Sequence, residues 1–170
     1  PTDSDGGIDY SKDYFGQSTN LTVSGQLNAE CLALGLGKVY TFGPTFRSEK
    51  SFTSRHLSEF WMIEPEVAFC DLEGISKIAT NYIKYIIRET LKCCGKELEF
   101  LANKEDVDSD LITNLKKIVT SDFVKISYTE AVNILIDSNV KFEFPVEWGS
   151  ELQTEHERYL TEKHFNSPVI

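Results

Sequence analysis

Two apolar, strand-like runs in this 170-residue chain are joined by a polar stretch, and elsewhere apolar positions recur every three or four residues, which predicts strands and helices mixed along one sequence. Residues 39–46 (VYTFGPTF) and 58–69 (SEFWMIEPEVAF) read as strands rich in aromatic and β-branched side chains. The polar stretch 48–55 between them has no apolar period, so the two runs predict an antiparallel hairpin with a long loop. Upstream, residues 1–13 read as loop and 21–24 as a short β-prone run. Residues 25–36 read as a short helix with Leu27, Cys31, Leu32 and Leu34 apolar, ended by Gly35 and Gly37. Downstream, Leu72, Ile75, Ile78, Ala79, Tyr82, Ile83, Ile86 and Leu91 recur at helical spacing, in a helix capped by Asp71 and stopped by Gly95. A shorter helix is expected over 111–119, after the acidic run EDVDSD, which reads as solvated loop. Ser127 with Glu130 and Ser150 with Gln153 fit the Ser-x-x-Glu/Gln capping box, placing helix starts near Tyr128 and Glu151. The closing Pro168-Val169-Ile170 reads as an entering strand, with the expectation of more sheet to come.

Composition narrows the class. With 41% hydrophobic and 12% aromatic residues, the chain is long enough for one domain with a real core. Its longest apolar runs are too short to cross a bilayer, so no membrane association is expected. The first fourteen residues have neither the pattern of a secretory signal nor that of a transit peptide, and they begin at Pro1 rather than Met, as expected of a processed or excised piece. A formal charge of −10 speaks against a domain whose main task is gripping a phosphate backbone, so any nucleic-acid contact is expected to be local or supplied by another part of a larger protein. The cysteines at 31, 70, 93 and 94 form no CxxC pair and have no histidine at ligand spacing; reduced thiols are expected, and no metal site.

The chemistry concentrates in residues 40–69. Arg47 offers a permanent, planar, bidentate partner for phosphate or carboxylate, and Glu49, two residues on, an acceptor for an amine such as that of adenine. Alternation puts Phe60, Met62, Glu64 and Glu66 on one face of the second strand, with Glu59, Trp61, Ile63 and Val67 broadly on the other. Two carboxylates on one face fit either a functional site or pairing with basic residues of adjacent strands, and Pro65 marks the stretch as irregular or near an edge.

Read together, Phe46-Arg47-Ser48-Glu49, then Arg55-His56-Leu57-Ser58-Glu59-Phe60, then Glu64-Pro65-Glu66 closely resemble motif 2 of the class II aminoacyl-tRNA synthetases, in the subclass of aspartyl, asparaginyl and lysyl enzymes. The flanking LTVSGQLNAE, YTFGPTFR, EFWMIEPEVAF and WGSELQTEHERYLTEKHF resemble the asparaginyl branch, and the likeness runs over residues 15–170. The resemblance implies an α+β fold, part of a class II catalytic domain with an antiparallel sheet flanked by helices. It implies ligation of asparagine to tRNA(Asn) through an asparaginyl-adenylate made from ATP and L-asparagine, in a homodimeric full-length cytoplasmic enzyme, an organellar form being the alternative.

Roles follow from the same resemblance. Arg47 would be the catalytic residue, contacting the α-phosphate of ATP and the amino-acid carboxylate, where charge shifts as pyrophosphate leaves. Glu49, His56, Leu57 and Phe60 would complete the ATP pocket, with Phe60 stacked on adenine. Gln26 would join Arg47 around the amino acid, Glu59, Glu64 and Glu66 would be candidates for its side-chain amide, its α-amino group or a metal, and Lys50, Phe52 and Arg55 would touch the acceptor end of tRNA. Aspartyl relatives carry lysine in this pocket segment, as QLYK or QLFK, where this chain has Ala29; losing the cation that pairs with a second carboxylate favours asparagine over aspartate.

The resemblance also implies parts that this sequence does not contain: motif 1, a barrel that reads the anticodon, and motif 3 with its γ-phosphate arginine and magnesium-holding acidic residues. The chain is therefore expected to be a partial catalytic domain, inactive by itself, since phosphate and metal stabilisation contribute several kcal/mol to such barriers. Two other readings keep the fold: a paralogue that makes free asparagine by amidating an aspartate adenylate, and a non-catalytic nucleotide- or RNA-binding module. The intact Arg47, Glu49, His56 and Phe60 count against the module.

Overall fold

The computed structural model describes residues 2, 4–48, 56–104 and 110–170, and the chain divides into two compact units, Pro1–Asp71 and Leu72–Ile170. The fold is α+β, as expected.

The first unit carries helix α1 (Gln26–Leu36) and strands β1 (Lys38–Phe46) and β2 (Glu59–Val67). The strands pair antiparallel, from Lys38 opposite Val67 to Phe46 opposite Glu59. The expected hairpin is present, and its period-two alternation is the reason: Val39, Thr41, Gly43 and Thr45 share one face with Phe60, Met62, Glu64 and Glu66. The opposite face exposes Tyr40, Phe42, Trp61 and Ile63, with the Phe42 and Trp61 rings edge-to-face at 5.0 Å. Residues 21–24, expected as a short strand, are irregular; one bond from the Phe46 N–H to the Thr22 carbonyl (2.8 Å) ties them to β1.

Helix α1 packs against both strands, but not through its leucines. Leu27, Leu32, Leu34 and Leu36 are exposed, whereas Ala29 and Ala33 are each 3% exposed. Gly25, Ala29 and Ala33 are spaced four apart and so line one helix face, whose small side chains let the helix backbone lie close to the sheet. The helix ends where Gly37 turns to φ +81° and its N–H bonds the Ala33 carbonyl (2.7 Å), a conformation that favours glycine.

The second unit is helical. Helix α2 (Leu72–Cys93) packs on α4 (Leu111–Thr120), both near their expected bounds. Gly95 does not stop the helical run, contrary to expectation: after a break at Cys94 it opens helix α3 (Gly95–Ala102). Helix α5 (Tyr128–Asp137) begins with the expected capping box, Ser127 and Glu130 bonding each other's backbone N–H groups. It contributes Ala131 and Leu135 to a core closed by Leu160. The last expected helix start is corrected: α6 runs Thr154–Arg158, not from Glu151. Ser150 lies in a turn after Gly149 at φ +95°, and its carbonyl accepts from the Tyr128 hydroxyl. A π-helical turn, Tyr159–His164, follows, and the final residues begin parallel pairing, Val169 beside Val124. No helix among the described residues is long and apolar enough to cross a membrane.

Candidate active site

The site is built on the α1-facing side of the hairpin, in the first unit. At the end of β1, the Arg47 N–H donates to the Ser58 carbonyl (3.0 Å), closing the strand pair just before β2. The Arg47 guanidinium then folds back over the sheet. Its Cζ lies 5.2 Å from the centre of the Phe60 ring, a cation–π distance, and Nη2 is 3.8 Å from the Met62 sulfur. Alternation places Phe60, Met62 and Glu64 in one row, so cation, ring, thioether and carboxylate follow one another along the strand.

Glu64 is the most heavily bonded of these groups. One carboxylate oxygen accepts from the Ser24 hydroxyl; the other accepts from the Gly25 N–H (3.0 Å) and from the hydroxyl of Thr41, its cross-strand neighbour (3.0 Å). The Ser24 hydroxyl, then the Gly25 N–H and the Thr41 hydroxyl, with the charge of Arg47 adding to them, hold the Glu64 carboxyl below the usual carboxylate range. It is therefore an anion at neutral pH, fixed beside the fixed cation of Arg47.

Of the residues singled out in the sequence, the structure brings Arg47, Phe60 and Glu64 together on this face. Gln26 joins them at the first turn of α1, its N–H donating to the Ser24 hydroxyl oxygen (2.9 Å). Glu66 shares the face, opposite Val39. Glu59 pairs with Phe46 and lies on the opposite face of the sheet, the face its parity in the sequence gives it. His56 and Leu57 lie exposed immediately before β2. Glu49, Lys50, Phe52 and Arg55 fall outside the described residues. Ser24, Gly25 and Thr41 were not singled out in the sequence; a hydroxyl, a glycine and a hydroxyl carry no signal until folding brings them to one carboxylate. Among the described residues, no three His, Cys, Asp or Glu side chains converge as metal ligands.

A profile of the class II tRNA synthetases (D, K and N) matches residues 7–169. The chain is 56% identical over 166 residues to an asparagine–tRNA ligase of Clostridium beijerinckii, covering 98% of this chain and 35% of that protein. It is 55% identical over 170 residues to one of Aliivibrio fischeri, covering all of this chain and 36% of that protein. It thus spans about a third of the length of these relatives. Among solved structures, the asparaginyl-tRNA synthetase of Pyrococcus horikoshii, complexed with asparaginyl-adenylate, matches with a TM-score of 0.75 and 39% identity over 92% of this chain and 33% of its own. With a family profile matched from residue 7 to residue 169 and the Arg47–Phe60–Glu64 row in place, the chain belongs to the class II tRNA synthetases of the aspartyl, lysyl and asparaginyl group.

Proposed function

We propose that the protein carrying this chain is an asparagine–tRNA ligase: it activates L-asparagine with ATP to an enzyme-bound adenylate and transfers the asparaginyl group to tRNA(Asn). The observation that carries the reading is the Arg47–Phe60–Glu64 row on one sheet face, in a chain 39% identical to a synthetase solved with asparaginyl-adenylate.

In this proposal the asparagine carboxylate attacks the α-phosphorus of ATP, the new C–O–P linkage forms, and pyrophosphate leaves. Negative charge passes from the carboxylate to the leaving phosphates. The Arg47 guanidinium, whose position is fixed by the strand end and by Phe60, stabilises that charge without reorganising. Phe60 offers a ring to the adenine, and His56, Leu57 and Glu49 complete the nucleotide pocket. Gln26 and Glu64 face the amino acid. Lys50, Phe52 and Arg55 reach the acceptor end of tRNA. Ala29 supplies no cation for a second carboxylate, which favours the amide of asparagine.

We further propose that the chain is the motif 2 part of the catalytic domain, that the working enzyme is a cytoplasmic homodimer, and that magnesium is held by residues outside this chain. Among the described residues no group of three histidine, cysteine or acidic side chains is placed to hold the ion.

The test is charging of tRNA by the intact protein with labelled asparagine or aspartate. Asparaginyl-tRNA is the expected product. Charging with aspartate alone, or formation of free asparagine from aspartate and ammonia without tRNA, contradicts the proposal.

A further inference from the structure

We infer that Thr41 is a positioning residue for amino-acid binding: with Glu64 it forms a joint that fixes the start of α1, and hence Gln26, against the sheet. The inference rests on the proposed amino-acid role of the α1 segment. Its geometry stands apart from that role.

Three observations define the joint. The Thr41 hydroxyl and the Gly25 N–H converge on one oxygen of Glu64, each at 3.0 Å, while the Ser24 hydroxyl takes the other oxygen. An ionised carboxylate offers about four acceptor sites, so most of the capacity of Glu64 is already spent on this segment. Second, the contact is close: a Cβ placed on Gly25 would lie 2.7 Å from the Thr41 hydroxyl oxygen and 2.9 Å from both Thr41 Cβ and Cγ2. Only glycine allows this approach. Third, the joint continues into the pocket segment, because the Ser24 oxygen that donates to Glu64 also accepts from the Gln26 N–H (2.9 Å). A displacement at Thr41 is thus handed through Glu64 and Ser24 to the backbone of Gln26.

Thr41 itself lies under this network, on the strand opposite Glu64, and presents only a hydroxyl already donated to that carboxylate. Its effect on substrate is therefore indirect. Removing the hydroxyl while keeping the volume leaves one acceptor site of a charged group open and loosens the helix start. The amino-acid affinity should fall, while the nucleotide side of the site, anchored at Arg47 and Phe60, stays in place.

The experiment compares Thr41→Val, Thr41→Ser and Ser24→Ala with the wild type in the intact protein, by ATP–pyrophosphate exchange. Thr41→Val is expected to raise KM for asparagine about tenfold, the scale of one lost hydrogen bond to a charged group, with kcat and KM for ATP within about twofold. Thr41→Ser keeps the hydroxyl and should restore the wild-type constant. Ser24→Ala removes a donor to Glu64 without altering the Gly25 contact, and should raise the same KM. An unchanged KM for asparagine in Thr41→Val, equal shifts for both substrates, or a serine variant as impaired as the valine overturns the inference. Hydrogen exchange at the Gly25 amide gives a readout independent of activity. Faster exchange in Thr41→Val and Glu64→Gln is expected, and unchanged exchange refutes the joint. If exchange behaves as expected but the wild type shows no asparagine-dependent activity, the functional reading fails and takes with it the substrate role given to Thr41, while the joint itself stands.

Discussion

Substituting Gly25 by alanine probes the packing between α1 and the hairpin. The backbone there has φ −87° and ψ −4°, which any residue adopts, so the substitution adds no backbone strain. The new Cβ would stand 2.7 to 2.9 Å from three atoms of Thr41, a β-branched residue held in the strand and bonded to Glu64. Carbon atoms prefer about 3.5–4.0 Å, so the start of α1 must move out by about 1 Å. That shift lengthens the 3.0 Å bond from the Gly25 N–H to Glu64. Overpacking of this kind costs about 1–3 kcal/mol, offset by about 0.5–1 kcal/mol because alanine has less freedom to lose than glycine. The net expectation is a loss of about 1–2 kcal/mol. Gly35, in the same helix with open space around its Cβ position, is the internal control: Gly35→Ala should stabilise by about 0.5–1 kcal/mol. Denaturant unfolding of the intact protein, followed by a probe in this region, measures both. Gly25→Ala as stable as the wild type, with Gly35→Ala behaving as expected, would refute the close-approach argument.

Three further outcomes are expected. Leu135→Ala, at a side chain 1% exposed in the core of the second unit, should cost about 2–5 kcal/mol in a denaturant titration. The carboxyls of Glu64, Glu130 and Glu155 are all held below their ordinary value of 4.5, by Ser24, by Ser127 and by the N–H groups of Phe144 and Glu143 respectively. Groups with depressed folded-state values give stability that is complete above the unfolded-state value and is lost as pH falls through the folded-state one, so stability should hold from about pH 7 to 5 and decline below; Ser127→Ala should lose about 1 kcal/mol at neutral pH and flatten part of that decline. Ala29→Lys should weaken asparagine activation without creating aspartate activation in pyrophosphate exchange, because the new ammonium enters a site that is 3% exposed.

How much of this was legible in the sequence depends on the kind of signal. The hairpin could be read because two runs rich in aromatic and β-branched residues flank a polar stretch with no apolar period, and strand parity grouped Phe60, Met62, Glu64 and Glu66 on one face, as the register shows. The existence of α1 could be read, but not its buried face. Its leucines dominate any hydrophobic reading, yet the sheet lies against Gly25, Ala29 and Ala33, because close backbone approach needs small side chains. Helix α3 was hidden by Gly95, a residue that equally ends one helix or opens the next.

The start of α6 was displaced because two caps compete. Ser150 has the right spacing, but the cap is supplied by His156, whose Nδ1 accepts from the Gln153 N–H (3.0 Å), and capping rules give no weight to histidine. That ring is 1% exposed, and its Nε2 lies 3.1 Å from the Phe144 carbonyl, so with Nδ1 accepting, Nε2 carries the proton and donates. Glu155 meanwhile accepts from the Glu143 and Phe144 N–H groups, so two adjacent side chains of α6 hold the preceding loop. At the site, Arg47 and Phe60 were singled out, Arg47 by the chemistry of its guanidinium and Phe60 through the resemblance to motif 2. Thr41 and Ser24 were not, because a hydroxyl acquires meaning only from the acceptor that folding brings to it.

The central claim, that this hairpin serves asparagine activation, is tested most directly by ATP–pyrophosphate exchange in the intact protein and in its Arg47→Ala variant. Exchange is expected to depend on asparagine, to be slight with aspartate, and to fall in kcat/KM by about 10²–10³ when the guanidinium is removed. Exchange supported by aspartate and not asparagine, or an Arg47→Ala variant within a few-fold of the wild type, would contradict that claim.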